Sequence, residues 1–437
     1  MLGLKLAIRG LWRHKVRTAI TLTALSMGHC MGMIFVSMND GGHELMIELG
    51  VRQGRAGHLV VQAEGYQKSQ SVELLVDRPA TVRETLQRAL PEARVALRAF
   101  GGGLARTAAD SVGVLFSGVE PRVERRVNDL ADRIERGVFL GADALEVERA
   151  EQKLKKNGAL WCARPPGAED PPRRQALVGA ELARTLKIDL CDGLIIDAQG
   201  LGSRESVRFL VVGIFRWNSP DLDASFVTLD LSDVQQMLHI GSGVHQVAVF
   251  LPSVKSTADA LRRVEGRILD PALAVLSWDK AMPEMAEFIW LDEASGYVFL
   301  VIVYLIIGIG ILNTILMSVM ERTREIGVIR ALGAGPWRIV RLVLSEGLAL
   351  GVLGVTIGSL GAIYPCWYLE TTGIDMSQFS DAAMEMGGLA LTVVKGKLYL
   401  SSALWATAGV VLMAVLAAVY PAVRAAKLQV LRAIHQA

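Results

Sequence analysis

Cysteine and histidine are scarce in this chain, which has four and seven of them among 437 residues. The cysteines form no CxxC pair, and the histidines lack metal-ligand spacing: His239 and His245, for example, lie six residues apart across a glycine-rich turn. These absences argue against a metalloenzyme. The phosphate-binding pattern G-x-x-x-x-G-K-[ST] is also absent, which excludes a fused P-loop ATPase. We therefore expect no catalytic site, no metal and no cofactor on this chain.

An excess of charge of one sign is also missing, because 46 Lys and Arg face 44 Asp and Glu, for a net charge of +2. The basic residues crowd three places: the N-terminus up to Arg17, the segment 321–341, and the tail from Arg424. Since these clusters flank apolar segments, they are explained by membrane topology. We expect no nucleic-acid partner.

Apolar residues are abundant and concentrated: they make up 51% of the chain, whose mean hydropathy is +0.36. A membrane span needs about 20 mostly apolar residues. The runs that qualify are 18–38, 297–320, 342–366 and 399–420. The first could be a signal peptide, but it is long and no clear cleavage site follows Met38. The sequence therefore predicts a polytopic membrane protein with four spans.

The three basic clusters set the orientation, because loops rich in Lys and Arg stay in the cytoplasm. The N-terminal segment 1–17, the segment 321–341 and the tail 421–437 are then cytoplasmic. A large region, 39–296, and a short loop, 367–398, are left on the outer side.

The large outer region has the pattern of a folded α/β (α+β) domain inserted between the first two spans. Strand-like runs occur at His58–Gln62, Val207–Phe215 and Gln246–Leu251. Capping boxes are predicted at Thr81 with Glu84 and at Ser232 with Gln235. Strand 58–62, helix 81–90 and strand 94–99 are echoed by strand 246–251, helix 257–269 and strand 273–277. We predict one lobe from about 39–114 and 241–296, with an inserted lobe at about 115–240.

Residues 143–175 are unusual within the inserted lobe, since a charged helical stretch is followed by a proline-rich one. They are either a solvated insertion or an arm that docks a partner. Cys162 and Cys191 both fall on the predicted oxidising side and could pair, but their proximity is not given by sequence.

The stretch ERTREIGVIRALGA (321–334) is a dense cluster of charges between two spans. It cannot enter hydrocarbon, yet Ile326, Ile329 and Leu332 give it an apolar stripe, and its Gly and Ala residues keep part of its surface shallow. Two interpretations remain open: a ridge that inserts into a groove on another protein, and an interfacial helix that rests in the headgroups.

A longer run, NTILMSVMERTREIGVIRALGA (313–334), closely resembles the signature of the FtsX/MacB-like permeases of ABC transporters. Three further stretches resemble the entry helix with first span (6–28), the short outer loop (373–380) and the tail (420–434) of that family. The tail departs at Val430 and Arg432, where proline and an acidic residue are common. The resemblance covers all four spans and much of the outer domain.

This resemblance implies that the charged helix docks on an ATPase and that 1–17 forms an amphipathic entry helix. It implies a dimer of cytoplasmic ABC ATPases that carries the ATP and Mg, a second permease copy or relative, lipid contacts, and a possible periplasmic carrier. The protein would lie in the bacterial inner membrane with its large domain periplasmic. The candidate docking residues are Glu321, Arg322, Arg324, Glu325, Ile326, Gly327, Arg330, Ala331 and Gly333.

Within the family, the absent phosphate-binding pattern argues against the efflux members that carry their own ATPase, and the outer domain is too large for the cell-division members. The chain therefore most resembles the lipoprotein-releasing permeases LolC and LolE. The connection 198–206 is short where the LolC type carries a long hook, so a hookless member is expected. That likeness implies ATP-driven release of a lipidated substrate. The alternatives are export of another amphiphile and mechanical regulation of a periplasmic enzyme.

Several residues inside the spans invite a functional or a structural interpretation. Met27, Met31, Ile34 and Met38, with Tyr297 and Tyr304, form either lipid-facing filler or a groove wall for acyl chains. Asn313, Gly351, Gly354 and Gly358 are expected at helix-packing interfaces. His29 is expected to be neutral and hydrogen-bonded, and Glu346 to snorkel or to pair with an arginine.

Overall fold

The computed structural model describes residues 15–52, 56–108, 110–154, 160–163, 173–217, 219–268, 270–375, 384–386, 389–391 and 393–427. Most of the predicted entry helix, residues 376–380 of the 373–380 stretch and the tail beyond Lys427 lie outside them. The chain forms two compact units. The membrane unit comprises Met1–Leu45, Ile289–Phe379 and Thr392–Ala437, and the soluble unit comprises Met46–Phe288 and Ser380–Leu391.

Helices of both units are numbered along the chain. They are α1 (Lys15–Arg52), α2 (Tyr66–Ser69), α3 (Pro79–Ala89), α4 (Pro121–Glu124), α5 (Ala144–Lys153), α6 (Ala180–Thr185), α7 (Pro220–Ser225), α8 (Leu231–Leu238), α9 (Thr257–Val264), α10 (Trp278–Ala281), α11 (Pro283–Glu321), α12 (Thr323–Ala331), α13 (Pro336–Thr371) and α14 (Leu400–Ala426).

Strands are numbered in the same way. They are β1 (Leu59–Ala63), β2 (Arg94–Arg106), β3 (Ser111–Val119), β4 (Ile134–Gly137), β5 (Gln175–Gly179), β6 (Gly193–Gln199), β7 (Arg204–Phe215), β8 (Phe226–Asp230), β9 (Gln246–Phe250), β10 (Leu273–Ser277), β11 (Ile374–Asp375), β12 (Met384–Met386), β13 (Leu389–Leu391) and β14 (Val393–Val394).

Four of the described helices, α1, α11, α13 and α14, are long and apolar enough to cross a membrane. They run past the predicted spans: α1 continues from Met38 to Arg52, α11 begins at Pro283, and α13 begins at Pro336. The predicted segment 321–341 therefore holds both the short helix α12 and the first turn of α13. Hydropathy detects only the part of a helix that suits hydrocarbon, whereas backbone hydrogen bonds extend a helix into water.

The core of the membrane unit is built where small residues let helices approach. Ile311 and Ile315 of α11 pack with Leu350 of α13 and with Val410 and Ala414 of α14. All five side chains are at most 2% exposed. The outer faces of the same helices carry exposed Leu, Ile, Phe and Trp side chains, as expected of surfaces that meet lipid.

The soluble unit is organised around one ten-stranded sheet with the order β10-β1-β9-β2-β3-β8-β5-β7-β4, and β6 pairs with β2 and β7. The pairs β3–β8 and β5–β7 are parallel. The two units β1-α3-β2 and β9-α9-β10 interleave at one end, where β1 is antiparallel to both β9 and β10. These two units are the predicted strand–helix–strand repeat, and they form a split βαβ arrangement.

Neither predicted capping box begins a helix. α3 starts at Pro79, with Arg78 as its N-cap residue, so Thr81 already lies in the first turn. In α8 the Asp230 carboxylate accepts the hydrogen bond from Ser232 N at 2.9 Å, which makes Asp230 the N-cap residue. In both cases a residue two or more positions upstream is the better initiator: proline fixes φ, and aspartate caps well.

A second apolar cluster lies under β5 and β7 and contains Leu160, Val212, Phe215 and Trp217. Leu160 is fully buried, so this part of the 143–175 segment belongs to the core and is not a solvated insertion. Next to it, Cys162 and Cys191 form a disulfide, which resolves the pairing that the sequence left open.

Candidate functional site

The helix α12 is held against the membrane unit by its inward face. Ile326 is 5% exposed and packs in the same core cluster as Val319 at the end of α11 and Ile339 and Val343 at the start of α13. Gly327 beside it is also buried. The sequence predicts that Ile326 and Gly327 meet a partner, but both are buried within the chain. They are therefore not accessible to a docking partner.

The outward face of α12 remains, and we call it the outer surface. It consists of Arg324, Val328, Ile329 and Ala331 of α12, together with the adjoining Leu332 and Trp337, all of them exposed. Leu332 has an exposed fraction of 83%, the highest among the large apolar residues of the described chain. Trp337, 65% exposed in the first turn of α13, was not singled out from sequence. The one sequence feature that could have indicated its exposure is its position directly after Gly335 and Pro336, which are typical of a turn.

A tight turn places Leu332 at the tip of this surface. Gly333, next along the chain, has φ of +93°, a conformation that L side chains rarely adopt. Pro336 then occupies the first position of α13, where its fixed φ suits a helix start. Because the reversal takes only a few residues, Leu332 and Trp337 lie on either side of one short turn.

Several of the predicted docking charges are already engaged within the chain. Arg17 donates to Glu321 Oε2 at 3.0 Å and to Glu321 Oε1 at 2.5 Å. Arg322 donates to Glu325 Oε2 at 3.1 Å and to Glu346 Oε1 at 2.5 Å. The Glu346 side chain is 6% exposed, so it pairs with an arginine and does not snorkel. These contacts join the start of α1 to the end of α11, and Arg322 at the N-terminus of α12 to the third turn of α13.

The candidate groove residues divide between two environments. Met27 and Met31 are 66% and 59% exposed on α1, whereas Ile34 and Met38 are half-buried. Tyr297 is exposed and donates to Glu293 Oε1 at 3.0 Å, while half-buried Tyr304 donates to the Ala406 carbonyl at 3.1 Å. The six residues therefore do not line one cavity.

An apolar cavity of about 340 Å³ lies elsewhere in the membrane unit. It is lined by Met33 of α1, by Ser359, Leu360 and Ile363 of α13, and by Leu398. The Ser359 hydroxyl lies 3.0 Å from His29 Nε2, so His29 has the hydrogen bond expected of it. The sequence missed this cavity because Met33 lies off the Met27–Met31 stripe.

The predicted packing glycines lie at close helix contacts. A Cβ on Gly351 would stand 2.8 Å from Ala414 Cβ of α14, and one on Gly358 would stand 2.5 Å from the Ser26 carbonyl of α1. Gly354 lies against Leu25 of α1 in the same way. Asn313 behaves differently, as it is exposed on α11 and makes no hydrogen bond within the described part of the chain.

Two histidines of the soluble unit are structural. His58 Nδ1 accepts from Leu251 N at 3.1 Å and His245 Nδ1 accepts from Phe100 N at 3.0 Å. Burial lowers the pKa of each to about 4, because charging a buried imidazole is unfavourable. Among the described residues no group of three His, Cys, Asp or Glu side chains could hold a metal ion.

Comparison with known proteins identifies the class. Residues 297–430 match the family model described as FtsX-like permease C-terminal. The lipoprotein-releasing system transmembrane protein LolC of Xylella fastidiosa (strain 9a5c) is 24% identical over 275 residues, 61% of this chain and 65% of LolC. The match thus spans slightly less than two thirds of that relative. The ABC transporter permease YtrF of Bacillus subtilis (strain 168) is 35% identical over 144 residues, 32% of each chain.

A shorter match, 34% identical over 97 residues, links 21% of this chain to 14% of the macrolide export ATP-binding/permease protein MacB of Nitrosomonas europaea. Among solved structures, the periplasmic region of MacB from Actinobacillus actinomycetemcomitans aligns with a TM-score of 0.33 and 11% identity, over 55% of this chain and 97% of that one. Residues 297–430 thus carry an FtsX-like permease domain, and the chain is similar in sequence to permeases of ABC transporters. Together the matches support an FtsX/MacB-like ABC permease related to LolC.

Proposed function

We propose that this permease couples ATP hydrolysis by a separate cytoplasmic ATPase to the extraction of a lipidated or amphiphilic substrate from the bacterial inner membrane. The ATP and Mg would be bound by the ATPase dimer, and two permease copies would act together. The observation that carries this proposal is the outer surface of α12, which is apolar, exposed and fixed to two membrane helices.

The outer surface has the composition of a protein contact. Leu332 and Val328 expose apolar area, and Arg324 is exposed one helical turn before Val328. Contact centres are depleted in charge but enriched in arginine. The inward face is locked by Ile326 and by the Arg322–Glu346 pair. A push on the outer surface would therefore be transmitted to α11 and α13 and not absorbed by a flexible loop.

A lipidated substrate is supported by the relative named for lipoprotein release and by the exposed methionines of α1. Each CH₂ of an acyl chain gains about 0.8 kcal/mol in the bilayer, so extraction of a whole chain needs an energy source. The MacB relatives, named for macrolide export, favour a second candidate, namely export of another amphiphile.

The periplasmic side for the soluble unit is supported by the Cys162–Cys191 disulfide, since disulfides persist in oxidising compartments. Single cysteines at two exposed positions test this: Glu265→Cys in the soluble unit and Lys427→Cys after α14, in a background without Cys30 and Cys366. A membrane-impermeant maleimide should label Glu265→Cys in intact spheroplasts and Lys427→Cys only after lysis. Labelling of Lys427→Cys in intact cells would reverse the topology.

The docking role is tested by Leu332→Asp and Ala331→Trp. A charge at the tip should weaken ATPase binding about 30-fold or more, because central apolar residues at interfaces contribute about 2 kcal/mol or more. Ala331→Trp should wedge the contact apart, although tryptophan is well tolerated at a headgroup boundary. The measurement is ATP hydrolysis by the reconstituted complex with each variant.

Val16→Asp is the matched control, because Val16 is 76% exposed at the same end of the membrane unit but lies outside the outer surface. It should leave ATP hydrolysis unchanged. If Leu332→Asp and Ala331→Trp also leave hydrolysis and its stimulation by substrate unchanged, α12 is an interfacial helix and the docking proposal fails.

A further inference from the structure

The apolar cavity between α1 and α13 opens on the lipid-facing surface of the membrane unit. Met33, which lines it from α1, is only 6% exposed, whereas Leu360 and Ile363, which line it from α13, are exposed. Its volume of about 340 Å³ is in the range of small-molecule sites. A void without an occupant loses dispersion contacts along its lining, and an apolar void takes up no water. A hydrocarbon chain from the bilayer is therefore the occupant that suits it.

The hydroxyl groups among the lining residues are already engaged. Thr356 donates to the Val352 carbonyl of its own helix at 2.7 Å, and the Ser359 hydroxyl lies 3.0 Å from His29 Nε2. Because these hydroxyls have partners inside the chain, they do not require one from the occupant. The cavity therefore presents mainly hydrocarbon to whatever enters it.

The cavity lies in one half of the bilayer. Its α13 residues run from Thr356 to Ile363, about 10 Å along the helix axis, and one leaflet of hydrocarbon is about 15 Å thick. Tyr364 and Trp367 follow directly and are exposed, and such rings mark the boundary between hydrocarbon and headgroups. The cavity thus begins at this boundary and runs toward the midplane, as a lipid tail does. It belongs to the leaflet opposite α12, because α12 precedes the other end of α13.

The segment before α14 is fixed at the headgroup end of the cavity. Gly396 N donates to the Leu369 carbonyl of α13 at 3.0 Å, and Lys397 N donates to the Ser37 carbonyl of α1 at 2.7 Å. Leu398, the next residue, lines the cavity itself. The segment therefore joins the two helices between which the cavity lies.

This segment carries one lysine that is paired and one that is available. Lys397 donates to Glu44 Oε1 at 2.6 Å, so its charge is compensated within the chain. Lys395 is exposed and forms no ion pair with a carboxylate in the described part of the chain. It precedes Leu398 by three residues, which span at most about 11 Å. A cation is thus held close to the cavity at the level where anionic headgroups lie.

We propose that the cavity binds one acyl chain of an anionic phospholipid from the leaflet opposite α12, with Lys395 in contact with its headgroup. The acyl chain restores the dispersion contacts that the void lacks, and the flexible side chain of Met33 adapts to it. A lipid tail gains little by leaving one apolar environment for another, so the headgroup contact decides which lipid is held. The proposal requires only that the helices cross a bilayer and is independent of the transported substrate.

A photoreactive phosphatidylglycerol tests the acyl-chain contact. The full chain is reconstituted in phosphatidylcholine vesicles that contain a trace of this lipid, with a diazirine in the middle of one acyl chain. Mass spectrometry then maps the labelled residues. Met33 should be labelled, because a lipid that merely surrounds the helices does not reach so buried a side chain. Label on exposed Leu360 without label on Met33 would overturn the proposal.

Two neighbouring positions of α13 provide a matched pair of variants. Thr356 and Ile357 are both exposed, but of the two only Thr356 lines the cavity. Thr356→Phe should abolish the labelling of Met33, because the ring fills the cavity, and Ile357→Phe should leave it unchanged. Both substitutions lie on the lipid-facing surface, where an aromatic ring leaves the helix contacts intact. Equal labelling of Met33 in the two variants, whether retained or lost, would contradict binding in this cavity.

The headgroup contact is tested with a photoreactive phosphatidylcholine of the same acyl chains. In the unmodified chain, phosphatidylglycerol should label Met33 about 5-fold more than phosphatidylcholine, which is what one lysine near a charged membrane surface contributes. Lys395→Gln should remove this preference and Lys395→Arg should keep it. Lys395 is exposed, so neither substitution disturbs the fold. Equal labelling by the two lipids in the unmodified chain, or a preference that survives Lys395→Gln, would overturn the proposal. No ATPase is present, so this outcome is separate from that of the docking experiment.

Discussion

Arg98→Met should lower the free energy of unfolding of the soluble unit by about 3–5 kcal/mol, the usual cost of removing one member of a buried ion pair. Arg98 and Glu124 each have only 1% of their side-chain area exposed. Arg98 Nη2 donates to Glu124 Oε1 at 2.7 Å, and Nη1 donates to the Ala56 carbonyl at 3.1 Å. Methionine fills the volume but leaves the Glu124 carboxylate without its cation.

The position of this pair explains why its loss should be felt across the unit. Arg98 is on β2, in the split βαβ end of the sheet, and Glu124 ends α4, at the entry to the middle strands. Asn128 also donates to Glu124 Oε1, at 2.8 Å. The pair therefore joins β2 to α4, where the chain passes from the split βαβ end of the sheet to its middle strands.

Pulse proteolysis of the full chain in urea and detergent measures this effect through cleavage of the soluble unit. Arg98→Met with Glu124→Leu should recover much of the loss, because an apolar pair leaves no unpaired charge. Arg106→Ala is the surface control: its pair with Asp197 is 45% exposed at the arginine and should cost about 0–1 kcal/mol. A double variant as unstable as the sum of the single variants would contradict a coupled pair.

The spans were predictable because a bilayer imposes a length on every apolar run that crosses it. The helix ends were not, since polar residues such as Glu44 and Glu48 continue α1 without any apolar signal. Sequence periodicity also suggested the two βαβ units, whose strands and helices recur in the same order. Their pairing into one sheet depends on contacts between distant segments, which local patterns do not encode.

The candidate site shows the same limit at the scale of single side chains. The stripe of Ile326, Ile329 and Leu332 indicated an amphipathic helix, but which member turned inward depended on α11 and α13. Ile326 packs in the core of the membrane unit, whereas Leu332 is exposed at the tip of a turn. Similarly, Asn313 was expected at a helix interface, but it is exposed in the structure, and its neighbour Thr314 makes the polar contact with α1.

In the membrane unit, Arg322→Gln should have the largest effect, about 3–5 kcal/mol of destabilisation. The Arg322 guanidinium pairs with Glu346, whose side chain is 6% exposed, at 2.5 Å. Glutamine is shorter and neutral, so the buried Glu346 carboxylate on α13 would lose its counter-charge. Titration with SDS, followed by circular dichroism of the purified full chain, measures the loss of stability.

Arg17→Gln is the matched control because Arg17 also pairs with a glutamate at the same edge, yet Arg17 and Glu321 are 32% and 27% exposed. It should cost about 0–1 kcal/mol. The double variant Arg322→Met with Glu346→Leu should regain most of the stability. It therefore tests, in a folded protein, whether the ion pair transmits motion. If the pair transmits motion from α12 to α13, this restored protein should fold normally but lose stimulation of ATP hydrolysis by substrate. If Arg322→Gln costs no more than Arg17→Gln, water reaches Glu346 and the pair does not anchor α12.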